Sequence, residues 1–190
     1  MAIIPIPDGE LGTVVTFLEM TSRPPLRPLP PSSLRMVRWP DPHPDKYRQL
    51  FRRVGARWLW YSRLAMSDDA LVRQYGELHV VIDRAGIEVG MIELDFGTPG
   101  ECLVRFLGLV PELAGKGHGS WLFAQLMAIS WRGGIGRVHL TTCTLDHPAA
   151  LPAYLKQGFR AYKRVFETFP DPRVRGLINR DAAQQQPLIG

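Results

Sequence analysis

Cysteine is scarce in this chain: 190 residues hold only Cys102 and Cys143. Both sit in apolar stretches without metal-ligand spacing. A disulfide framework and a thiolate-held metal are therefore not expected, and two reduced core thiols are. No apolar run approaches the ~18 residues of a membrane-spanning helix. The opening MAIIPIPDGE lacks a basic stretch followed by a long apolar one, so no secretory signal is expected and the chain reads as soluble and cytoplasmic. Internal repeats are missing too. Apolar residues make up 45% and charged residues 22%, the balance of an ordinary globular domain with a sizeable core. What the chain has in excess is positive charge, 23 Lys and Arg against 18 Asp and Glu. That favours an anionic partner: nucleic acid, an acidic substrate or a phosphorylated cofactor. The basic residues are not interleaved with aromatics as in a known RNA or DNA module, so nucleic acid is not the expected partner.

Eight of the seventeen prolines fall in residues 24–44, which predicts an extended connector and excludes helix or central strand. Residues 13–20 before it read as a strand. After it, Tyr47, Leu50, Phe51, Val54 and Trp58 recur at helical spacing, with Asp45 as N-cap. Arg48, Arg52, Arg53, Arg57 and Arg63 read as a solvated basic face, or else as a grip on an acidic acceptor or a coenzyme phosphate. A second helix starts at Ser67. The period then changes to two, and strands are expected over 78–82, 87–96 and 102–110. The run 119–131 is apolar nearly all round and predicts a buried helix, stopped by Gly133 and Gly134. A strand over 137–144 follows. The next helix opens at Asp146 or His147, with Pro148 in its first turn. One or two strands close the fold, and the glutamine-rich residues 181–190 are expected to fray. This order predicts an α/β sheet with an antiparallel half and one helical crossover.

The stretch LVPELAGKGHGSWLF alternates Gly115, Gly117 and Gly119 with Lys116 and His118 just before the buried helix. A glycine-rich turn running into a helix aims several N–H groups and the positive dipole end at one place, a cradle for a pyrophosphate. A P-loop is excluded, because position 110 is valine and Lys116 precedes Gly117. A dinucleotide fingerprint counted from Gly117 fails at Leu122, and a nucleophile elbow fails at Ser120.

The stretch does resemble the cofactor motif of the GNAT superfamily of acyl-CoA-dependent N-acetyltransferases, Gln/Arg-x-x-Gly-x-Gly/Ala opening a helix. Gly117 and Gly119 take the glycine positions, and Ala114 departs from the Gln/Arg position. Downstream, HPAALPAYLKQGF is similar to the family's Asn-x-x-Ala-x-x-x-Tyr-x-x-x-Gly-Phe. Ala150, Tyr154, Gly158 and Phe159 are in register, and His147 stands for the asparagine. The resemblance covers residues 76–168 well. It implies a mixed, largely antiparallel sheet of six to seven strands flanked by about four helices. Residues 1–170 would form one domain, with a variable acceptor side at 13–76 and an acyl-CoA-binding core at 77–168. Residues 171–190 would be a partly flexible extension.

The resemblance further implies acetyl-CoA as acyl donor, with its pyrophosphate at Gly115–Ser120 and Lys116 at the rim. Leu109 and Val110 would hold the pantetheine arm through their backbone; Ala114, His118, His147 and Ala150 complete the expected cofactor site. Tyr154 aligns with the family's general acid. Acetyl transfer also needs a base, since an amine of lysine-like pKa is mostly protonated at neutral pH. Glu93 and Asp95 share one face of a central strand and Glu101 begins the next. Glu93 is the chosen base, with a water relay as the other option. Trp58, Trp60 and Tyr61 read as core or as a wall of the acceptor pocket. Cys143, Asp146 and His147 lie close in sequence without making a thiol enzyme the expected reading. The alternative function is a non-catalytic acyl-CoA-binding regulatory module. Expected partners are a coenzyme A thioester and a small-molecule or peptide amine, with no metal, nucleic acid or membrane. The oligomeric state stays open, a homodimer among the options.

Overall fold

The computed structural model describes residues 3–25 and 28–189. Strand β1 (Glu10–Met20) buries alternate apolar residues, among them Leu11, Leu18 and Met20. The proline-rich connector then contains a short strand, β2 (Arg35–Arg38), where the proline spacing predicts only extended chain. It is an edge strand between Leu34 and Trp39, and an edge is where prolines on either side cost no ladder bonds.

Helix α1 (Pro44–Gly55) buries Tyr47, Leu50, Phe51 and Val54 on one face. Its N-cap is His43, whose ring accepts from the Asp45 backbone N–H, and not Asp45 as expected. Trp58 lies past its end, in a 3-10 turn over Ala56–Trp58. Helix α2 (Asp68–Arg73) starts as expected, with the Ser67 hydroxyl accepting from Ala70 N–H. Strands β3 (Glu77–Ile82), β4 (Glu88–Asp95) and β5 (Glu101–Leu109) form an antiparallel meander. Helix α3 (His118–Ser130) crosses over to β6 (Arg137–Cys143), and α4 (Ala150–Lys156) leads to β7 (Arg160–Pro170).

The seven strands form one sheet in the order β2-β3-β4-β5-β6-β1-β7, with β5 and β6 the parallel pair and the others antiparallel. With four α-helices around it, this is the mixed sheet expected of the family. Helix α1 lies on β4 and β5, and the core runs from there through Leu126, Val138 and Leu140.

One further expectation is corrected. Helix α4 begins at Ala150, a turn later than expected, because Asp146 turns back to β6: its Oδ2 accepts from Thr142 Oγ1 and Cys143 N–H at 2.7 and 3.0 Å. The described C-terminal residues 171–189 pack against the domain, and Gly190, the end of the stretch expected to fray, lies outside the described residues. Arg173, only 2% exposed, binds the Asp171 carboxylate and donates to the carbonyls of Ala182 and Gln186. Ile178 and Ala183 are buried, and Gln185 donates to the Arg57 carbonyl. An arginine with several carbonyls to satisfy orders a segment whose composition alone looks like a tail.

Candidate active site

The pairing of β5 with β6 runs from Glu101–Arg137 to Val104–Leu140 and stops. Both strands continue, β5 to Leu109 and β6 to Cys143. The cause lies on the other side of β5. There Glu93 faces Phe106 while Leu94 faces Val104, so Arg105 is an extra residue, a bulge that bends β5 at the point where it leaves β6. Beyond the bulge, the β6-facing N–H and C=O groups of β5 have no neighbouring strand. A cleft of about 820 Å³ opens there.

The glycine loop forms one wall. Gly115 and Gly117 have φ of 73° and 80°, the left-handed region that side chains disfavour. A Cβ added at Gly115, Gly117 or Gly119 would meet nothing within 4 Å. The space in front of all three backbones is therefore open, and it belongs to the cleft. No side chain caps α3 at Gly117, so its first N–H groups remain available for an anion. His118 lines the cleft and its Nδ1 lies 3.1 Å from Ser32 Oγ, tying the proline-rich connector to the cradle.

Of the residues expected to hold the cofactor, Leu109, Val110, Ala114, Gly115, Gly117, His118, Gly119, His147 and Ala150 line this one cleft, as does Tyr154. Lys116 and Ser120 do not, and the Ser120 hydroxyl donates to the Gly117 carbonyl at 3.2 Å. His147 does not start a helix: its Nδ1 accepts from Ala149 N–H at 3.0 Å and its ring lies edge-on to Trp58, 5.0 Å away.

Tyr154 projects from α4 between Phe123 and Phe159, with ring centroids 5.4 and 5.8 Å away and both contacts edge-on. Burial, and after it the Asp146 charge, pushes its hydroxyl above the ordinary tyrosine range. It therefore stays a neutral phenol, able to give a proton, throughout the working pH range. Burial and then Asp146 likewise raise the Cys143 thiol, which argues against a thiolate nucleophile at the cleft.

The structure does not bring Glu93 to the cleft. Its carboxylate is 0% exposed and lies behind Phe106, where Oε1 accepts from Arg63 at 2.5 Å and from Gly76 N–H at 3.2 Å. Oε2 accepts from the Tyr47 hydroxyl at 2.6 Å. Arg63 in turn donates to the side chain and carbonyl of Gln74. It is a core residue and no part of a solvated basic face. Asp95 and Glu101 are likewise committed, to Arg105 and to Arg137.

The carboxylates that do line the cleft are Asp146 and Glu167. The sequence pattern offers Asp146 as a helix opener and as a neighbour of Cys143 and His147, and gives no sign of Glu167, because β7 reaches the cleft only through its pairing with β1, which lies between it and β6. Trp58, Trp60 and Tyr61 both pack and wall the cleft: Trp60 lies on Phe51 and Phe106, and Tyr61 stacks on Phe169. Among the described residues no group of His, Cys, Asp and Glu could hold a metal ion, and no helix is long and apolar enough to cross a membrane.

The model of the acetyltransferase (GNAT) family matches residues 32–159, and the chain belongs to that family. The reaction class of the family is acyl transfer from an acyl-CoA. No curated protein matches the sequence. Among solved structures, the fold is similar to a GCN5-related N-acetyltransferase from Sphaerobacter thermophilus, at 16% identity and TM-score 0.57 over 86% of this chain and 52% of that one. It is similar as well to a GCN5-related N-acetyltransferase from Kribbella flavida, at 17% identity and TM-score 0.53 over 86% and 60%. An acetyltransferase from Thermus thermophilus gives 16% identity and TM-score 0.50 over 73% and 97%. The chain thus spans about half the length of the first of these.

Proposed function

We propose that the protein moves an acetyl group from acetyl-CoA to a primary amine by direct transfer. What supports this reading is that the open glycine cradle, the parted ends of β5 and β6 and Tyr154 line one cleft. The pyrophosphate sits at Gly115–Gly119 against the α3 N-terminus. The pantetheine arm runs along Leu109 and Val110, whose backbone groups stand in for the missing neighbour strand. The acceptor side is built by the region 13–76 together with β7.

In the transfer, the unprotonated amine nitrogen attacks the thioester carbonyl carbon. The oxyanion that forms is met by backbone N–H groups of the parted strand. As the C–N bond forms, the C–S bond breaks, and Tyr154 gives its proton to the departing thiolate. The proton shed by the nitrogen passes to Asp146 and on to water, while water reprotonates Tyr154. Asp146 replaces Glu93 in this role because its Oδ1 faces the cleft, with only a 3.5 Å contact from Trp60 Nε1, whereas both Glu93 oxygens are bound.

The test is calorimetric titration with acetyl-CoA, and with dephospho-CoA as comparison, followed by thiol release on adding amines. Micromolar binding and amine-dependent thiol release are expected. Absence of binding at millimolar acetyl-CoA would overturn the reading.

A further inference from the structure

The acceptor side of the cleft has a chemical character of its own. Trp58, Trp60, Tyr61 and Phe169 present flat apolar surface, and Asp146 and Glu167 are the carboxylates among them. The Tyr61 and Phe169 rings stack at 5.3 Å with 15° between planes, so β7 and the turn after α1 form one continuous aromatic wall. Glu167 pairs across the sheet with Thr13, another lining residue, which turns it to the same side. Burial and then the Glu167 charge push the Tyr61 hydroxyl upward, which places that carboxylate beside the ring. Among the described residues Glu167 is in no ion pair, so its charge is left for a ligand. Three cations stand near this wall: Arg57, over the Trp58 ring at 5.5 Å from its centroid; Arg105, bound to Asp95; and Arg175, whose charge acts on the Tyr61 hydroxyl against that of Glu167.

Resting on the transferase reading above, we infer that the acceptor is a small cationic primary amine with a flat aromatic body and no carboxylate. Its body lies against Trp58, Tyr61 and Phe169, and Asp146 and Glu167 draw its ammonium group in. Aromatic faces beside two carboxylates suit such a cation twice over, through ring quadrupoles and through charge. A free amino acid is disfavoured because its carboxylate would enter beside Glu167 and Asp146. A long polyamine gains the charge contacts but leaves the aromatic wall unfilled.

The experiment compares 2-phenylethylamine, phenylalanine, n-butylamine and spermidine by acetyl-CoA-dependent thiol release. Each amine is also titrated calorimetrically into the protein saturated with CoA. The expected result is a kcat/KM for 2-phenylethylamine about tenfold or more above each of the others. In Glu167→Gln and Trp58→Ala its KM rises about tenfold with acetyl-CoA affinity unchanged. Phenylalanine or n-butylamine matching 2-phenylethylamine would overturn the inference, as would 2-phenylethylamine failing to bind the CoA complex. If acetyl-CoA binds and another amine is acetylated best, this inference falls and the transferase reading stands. If acetyl-CoA does not bind, both fall.

Discussion

The guanidinium of Arg63 and the carboxylate of Glu93 meet at 2.5 Å with side-chain exposures of 2% and 0%. Around this pair converge Tyr47 of α1, Gln74 after α2 and Gly76 before β3. The pair therefore fastens α1 and the segment around α2 to the sheet, directly behind Phe106 of the bulged strand. A buried pair of this kind is costly to halve, because the remaining charge keeps its desolvation penalty without its partner. Glu93→Ala should destabilise the fold by roughly 3–5 kcal/mol. The folded fraction should keep the wild-type pH–rate profile. Denaturant unfolding checks the first part; an altered acidic limb in the profile would restore Glu93 as a catalytic base.

Gly119 separates the cradle's chemistry from its folding. Unlike Gly115 and Gly117 it has no positive φ, and a Cβ there meets no protein atom within 4 Å. Gly119→Ala should therefore hold or slightly raise the melting temperature, since alanine favours helix over glycine by about 1 kcal/mol. The family motif admits alanine at this position, so acetyl-CoA affinity should hold in Gly119→Ala, whereas Gly119→Glu, which brings a carboxylate into the anion's space, should lower it about tenfold or more. Unchanged affinity of Gly119→Glu by calorimetry would remove the phosphate from this loop.

Tyr154→Phe tests the proton donor. The rate of acetyl transfer should drop about 10²–10⁴-fold with acetyl-CoA affinity unchanged. A small loss would reduce Tyr154 to a packing residue between Phe123 and Phe159. No transfer in the parent protein would favour the non-catalytic module.

The pH dependence of stability has a definite sign at each end. Burial pushes the Cys102 thiol up to about 12 from an ordinary 9.0, and the Tyr75 hydroxyl up to about 12 from 10.0. Groups raised on folding favour the protonated form, so their contribution is full below pH 9 and is lost as pH climbs toward 12. At the acid end, burial alone would raise the Asp171 carboxyl, but hydrogen bonds from the Arg173 side chain and backbone hold it below its ordinary 3.8. That contribution is present above about pH 4 and lost below it. Unfolding midpoints across pH should thus show a plateau between these limits. Cys102→Ala should flatten the alkaline limb, and an unchanged limb would refute the assignment.

Arg173→Ala should unfasten the C-terminal stretch. Asp171 would be left buried without its partner, at a cost of roughly 3–5 kcal/mol. Loss of the Gln185 contact to the Arg57 carbonyl should also raise the KM for amine, since residues 57–62 wall the cleft. Hydrogen exchange over residues 171–186 checks the first point; continued protection there would sink it.

Much of this was legible in the amino-acid order. Periodicity located α1, α3 and the β3–β5 meander to within a few residues, because each buries one face on a fixed period. The spacing of Gly115, Gly117 and Gly119 pointed to the cradle, since backbone geometry at a helix start is a local matter. Edge strand β2 was missed because four residues between proline clusters carry too little pattern. The start of α4 was misjudged because Asp146 has a partner on β6 that no local rule reveals.

The sequence by itself determined what depends on neighbours along the chain: helix and strand periods, the glycine turn, and the motif register that places Tyr154 one element after β6. Tertiary structure alone decided which charges are spent on the fold and which line the cleft. Glu93 and Asp146 are both carboxylates at strands or strand ends. One meets Arg63 and Tyr47 in the interior, and the other keeps an oxygen at the cleft. That difference comes from helices folding back across the sheet, and partners that are 30 and 46 residues away in the chain leave no local trace.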